Sequence, residues 1–118
     1  MSATEPIDTH DFPLIHDPIE DWQRVEQMDT TTGFAELGTI GSVDYGLWEM
    51  SAGAMRDVEG DEVFLVVSGR GRIEFDEPAR SAVELHPGSL VRLKEGMRTR
   101  WYIDEGPLRK LFIANHEE

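Results

Sequence analysis

The chain contains no cysteine. That absence excludes disulfides, thiolate catalysis and cysteine-based zinc sites. Basic residues are scarce, with 11 Lys and Arg against 24 Asp and Glu and a formal net charge of −13. A nucleic-acid binder needs a basic footprint, and adsorption to anionic lipid needs basic clusters, so neither partner is expected. The acidic balance favours solubility instead. Long apolar runs are missing as well, and no stretch approaches the length of a membrane span. The opening "MSATEPIDTHDFPLIHDP" has neither the basic nor the apolar region of a signal peptide. The expectation is a soluble, cytoplasmic chain that folds as one domain.

Several catalytic signatures are also absent. There is no G-x-S-x-G elbow, P-loop or dinucleotide-binding glycine fingerprint. "GRGRIEF" has closely spaced glycines, but a strand pattern follows them rather than a helix. It reads as a hairpin turn, not a phosphate cradle. "DVEGDE", Asp57 to Glu62, carries four acids in six residues. It lacks the ligand alternation of an EF-hand loop and reads as a solvated acidic turn.

What is present is a grammar of short strands. Residues 1–33 form an irregular arm, expected to lean on the body through Phe12, Leu14 and Ile15. Within it, Asp17 to Gln27 can form one or two helical turns, with Asp17 as N-cap, Pro18 in the first turn, and Trp22 and Val25 as an apolar stripe. From Phe34 to residue 118 the candidates are "FAELGTI", "DYGLWEM", "EVFLVV", "GRIEF", "AVEL", "SLVRL", "RTRWYI" and "LRKLFIA". Turn-forming residues separate them. Strands at this spacing, without amphipathic helices between them, indicate a β-sandwich or small barrel.

Side-chain alternation assigns faces. Glu62, Phe64 and Val66 share one side of their strand, opposite Val63, Leu65 and Val67. Both sides are apolar beyond the first residue, so this strand should be central and covered twice. Thr99 and Trp101 share a side of theirs.

Two spacings then matter. Glu62 and Gly69 give E-x6-G at the end of an apolar strand, and "HPGSLVRLKEGMRTRW" gives a Pro-Gly turn followed by a second turn and a strand. With Gly46, Trp48, Glu49, Gly53, Gly60, Asp61, Gly96 and Lys110, this pattern resembles the cupin superfamily. It is most similar to the subfamily of ethanolamine-utilisation-type cupins and the cupin domain of ureidoglycine aminohydrolases. The likeness runs from about Val43 to Ile113. It implies an all-β double-stranded β-helix, a jelly-roll barrel, over residues 34–118.

The departures from the family pattern are informative. Metal-binding cupins place a His-x-His pair shortly before the glutamate and a third histidine in the second motif. Here the corresponding places look like Arg56-Asp57-Val58 and Thr99, and only Glu62 survives of that set. His10, His16, His86 and His116 all lie elsewhere. One carboxylate beside an arginine, a valine and a threonine is a poor donor set for a first-row metal. No metal and no cofactor are therefore expected.

The candidate ligand-binding residues are Trp48, Arg56, Glu62, Phe64, Thr99, Trp101 and Lys110, with Glu62 and Lys110 the candidate catalytic pair. A buried Glu62 needs a cationic partner, which Arg56 or Lys110 can supply. Trp48 and Trp101 are either core residues or walls of a pocket. Three functions stay open: a binder of a small polar metabolite, an enzyme of ureido or amino-alcohol metabolism, and a dimeric scaffold with a vestigial pocket. A homodimer is expected because the chain is small and its apolar strands leave surface to cover.

Overall fold

A computed structural model describes residues 5–25 and 29–116. The strands are β1 (His16–Pro18), β2 (Thr31–Ile40), β3 (Val43–Met50), β4 (Gly53–Val58), β5 (Glu62–Glu77), β6 (Ala79–Leu85), β7 (Leu90–Leu93) and β8 (Arg98–Asn115). All pairings are antiparallel, in the order β1-β2-β3-β8-β5-β6, with β4 added to β8 and β7 to β5.

Two long strands explain the shape. β5 spans 16 residues and β8 spans 18, and they pair along most of their length. The first part of β5 and the last part of β8 join β7 and β3. The other halves join β6 and β4. Each strand thus belongs to two sheet layers that face one another. The core lies between them, with Phe64, Val66, Leu93 and Leu108 from one layer and Met55, Ile73, Trp101 and Ile103 from the other. This is a jelly-roll barrel.

"SGRG", which reads as a turn, does not reverse the chain. β5 bends there and continues, and its register against β8 shifts between Val66 and Gly71. Gly69 has φ +91°, and a Cβ on it would lie 2.5 Å from Leu108 Cα. A Cβ on Gly71 would lie 2.2 Å from the Tyr102 carbonyl oxygen. The glycines let two backbones cross closely, which is a different use from closing a hairpin.

The arm also differs from its expected form. Asp17 and Pro18 belong to β1, and the helical segment is a 3-10 turn over Asp21–Gln23 preceded by Glu20. Trp22 is exposed, whereas Phe12 and Leu14 are half-buried and Ile15 is 87% exposed. The expected helical end at Gln27 lies outside the described residues. A network ties the arm to the barrel. His16 Nε2 is 3.0 Å from Glu49 Oε1, and Arg109 donates to both Glu49 oxygens and to the Thr9 carbonyl.

Candidate functional site

β4 positions one wall of the barrel interior. Its register sets Met55 against Trp101, Arg56 against Arg100, and Asp57 against Thr99. Trp101 and Thr99 are buried on the inner face, so Met55 and Asp57 point inward as well, and Arg56 points out. Arg56 is exposed and does not enter the site. The expectation that it faces Glu62 fails by one residue of strand phase. The inward positions are Asp57 and, just past the strand, Glu59.

"DVEGDE" is thus not simply a solvated turn, because Glu59 is only 7% exposed. Its Oε2 accepts hydrogen bonds from Thr99 Oγ1 at 2.6 Å and Trp101 Nε1 at 3.0 Å. Its backbone N–H donates to the Met97 carbonyl. Asp57 is half-buried, and burial is the main reason its carboxyl is pushed up to about 6, with the nearby Glu59 charge adding to the effect. The Val58 N–H, Lys110 and the Gln23 side chain offset this in part.

Lys110 lies at the centre. It is 5% exposed, and its Nζ is 2.7 Å from Glu62 Oε2. The same ammonium is 4.6 Å from the ring centroid of Trp48, 4.3 Å from that of Phe64 and 4.8 Å from that of Trp101. Three rings and one carboxylate together offset the cost of removing this charge from water. β8 places Lys110 opposite Trp48 of β3 and Val66 of β5, which fixes its inward direction.

A cleft of about 200 Å³ opens over these groups, lined among others by Trp48, Asp57, Glu59, Glu62, Trp101 and Lys110. It shares Phe34, Glu62, Phe112 and Ala114 with a wider mouth of about 520 Å³. The mouth carries Glu36, Asp44, Asp61, Glu95 and His116. Of the expected site residues, Trp48, Glu62, Trp101 and Lys110 line the cleft. Phe64 lies beneath Lys110, and Thr99 lies behind Glu59. Sequence reasoning missed Asp57 and Glu59 as lining residues. Their signal was the alternating D-x-E one strand phase away from Arg56.

The interior does not fit a metal of the usual cupin kind. No imidazole faces it among the described residues, and an ammonium is already bonded to Glu62. Metal-type donors do converge at the mouth, where Glu36, Asp44 and His116 offer atoms within 4.8 Å of one another. There Thr39 and His116 hydrogen-bond Asp44 and hold its carboxyl below the usual range. His10 is beside Asp8, and His16 bonds Thr31 and Glu49.

The family model for the EutQ-like cupin domain matches residues 37–112, well over half of the chain. The chain belongs to the EutQ-like cupin family. Its fold is similar to that of the Clostridium difficile EutQ protein, with TM-score 0.64, 16% identity, and coverage of 82% of this chain and 79% of that one. It is also similar to a putative ethanolamine utilization protein Q from Salmonella typhimurium, with TM-score 0.59, 16% identity, and coverage of 71% and 68%. A Pseudomonas syringae protein of unknown function gives TM-score 0.70 at 16% identity over 97% of this chain and 52% of that one. No curated protein matches the sequence. At such identities these structures share the fold, and a fold does not fix the chemistry. No helix among the described residues is long and apolar enough to cross a membrane.

Proposed function

We propose that this cupin-domain protein binds a small polar metabolite inside the barrel, using the Lys110–Glu62 pair where other cupins hold a metal. The buried ion pair at the floor of an open cleft carries this reading. A pair buried only for stability gains little over well-packed apolar residues. A pair that borders a cleft presents donors and acceptors to a ligand. The cleft also speaks against a scaffold with a filled interior. The test is a thermal-shift screen of the purified protein against polar metabolites. A ligand raises the unfolding temperature by mass action, and Glu62→Gln abolishes that rise. Failure of every metabolite to shift the protein overturns the reading.

A second reading, an enzyme of small nitrogen-compound metabolism, draws on Asp57. A carboxyl raised to about 6 in a cleft can exchange a proton near neutral pH. Chemical change of a bound metabolite on incubation, lost in Asp57→Asn, would favour the enzyme.

We propose also that the chain forms a homodimer in the cytoplasm. On the outer face, Leu65 lies beside Leu90 and Leu111, and Val63 beside Ile113. Leu90 is 71% exposed and Leu65 and Ile113 are exposed too, an apolar patch that a second copy would cover.

A further inference from the structure

The charges inside the cleft do not balance. Among the described residues, Asp57, Glu59 and Glu62 face it, against the single ammonium of Lys110. Glu62 takes that ammonium as its partner. Among the described residues, neither Asp57 nor Glu59 has a cationic nitrogen within 4.0 Å. Glu59 is satisfied at Oε2 by two neutral donors, while Oε1 receives no hydrogen bond from the described residues. Burying carboxylates without a counter-charge is costly, and the raised Asp57 carboxyl is the signature of that cost.

The approach to the cleft has the same sign. Its mouth is lined by Glu36, Asp44, Asp61 and Glu95, with Arg92 beside Asp61 and His116 beside Asp44 as basic partners. Low-dielectric walls of one sign concentrate counter-ions in such a funnel. The remaining walls are aromatic, with Phe34, Trp48, Trp101 and Phe112 on the cleft. Ring faces attract organic cations. The volume of about 200 Å³ equals roughly six waters.

We propose that the ligand of this cleft is a small organic ammonium, its N–H groups donating to Asp57 and Glu59 and its carbon skeleton lying against the aromatic walls. The inference rests on the barrel-binding reading and narrows it to one charge class. The Lys110–Glu62 pair forms the polar floor on which the ligand rests. Lys110 neutralises Glu62 and leaves two acceptors for the incoming cation. An anionic ligand would meet Lys110 but also two carboxylates with no cation of their own.

The test uses three probes of similar size at fixed ionic strength: n-propylammonium, 1-propanol and propionate. Each is titrated into the full chain and followed by calorimetry. The expected result is that n-propylammonium binds at least tenfold tighter than either other probe. Asp57→Asn and Glu59→Gln should each weaken it at least fivefold, with unchanged circular dichroism. Equal or tighter binding of propionate or 1-propanol overturns the proposal and leaves the barrel-binding reading intact. Unchanged affinity in both folded variants also overturns it. If no probe binds, the proposal fails; the metabolite screen then decides whether the barrel-binding reading fails with it.

Discussion

Lys110 is the residue on which the interior depends. Replacing it with Met removes the one cation that lines the cleft among the described residues and leaves Glu62 buried without that partner. Breaking a buried pair from one side costs about 3 kcal/mol or more. Lys110→Met is therefore expected to lower stability by about that amount in urea denaturation. The double variant Lys110→Met with Glu62→Gln should recover part of the loss, because no uncompensated charge remains. Asp57 behaves in the opposite sense. Its folded carboxyl titrates near 6 against an ordinary 3.8, so the folded state holds the proton more tightly. The stability this confers is present at low pH and is lost as pH rises from about 4 to 6. Asp57→Asn should flatten that part of the curve of unfolding temperature against pH. It should also stabilise the protein at pH 7, by up to about 3 kcal/mol. Glu49 runs the other way at lower pH. Burial works to raise it, but hydrogen bonds and charge from Arg109 and His16 hold it below the usual range. Its contribution is present at neutral pH and lost as pH falls through its lowered folded value.

At the scale of elements, the bends in β5 and β8 decide whether the two layers close. Gly69→Ala adds a side chain at a left-handed φ and against the Leu108 backbone. It is expected to cost more than 2 kcal/mol. Gly88 has φ +98° but nothing within 4 Å of its missing Cβ, so Gly88→Ala bears only the conformational cost of about 1 kcal/mol. Comparing the two variants by urea denaturation separates close approach from backbone strain. These elements also show what the sequence could reveal. Flanking turn residues located "DYGLWEM" and "EVFLVV", and the continuous apolar run of the second marked it as a central strand. That reading missed β4, whose six residues "GAMRDV" include an arginine and an aspartate. Asp57 points inward for the site and not for the core, so it hides the strand from a hydrophobicity pattern. The phase error at Arg56 has the same origin. Only pairing with Thr99 and Trp101 fixes which residues of β4 face inward, and that register lies more than 40 positions away in the chain.

For the whole molecule, the barrel was legible from turn-bounded strands and from the family-like spacing of glutamate, glycines and tryptophans, the glycines marking turns and close backbone crossings. The charge of the cleft was not, since it is assembled from β4, β5 and β8 together. The outer apolar patch belongs to this scale as well. Leu65→Asp, on the exposed side of β5, should leave the fold intact and convert a dimer to a monomer in sedimentation experiments. A wild-type monomer at micromolar concentration would contradict the dimer.

The Lys110 ammonium stands beside Glu62, in the place the proposed reading denies to a metal. Elemental analysis of the wild type and of Glu62→Gln, both purified without chelator, tests that reading most directly. Comparison with the variant separates the interior from the donor group at the mouth. The same transition-metal content is expected in both proteins. Close to one equivalent of metal in the wild type, lost in Glu62→Gln, would contradict the reading.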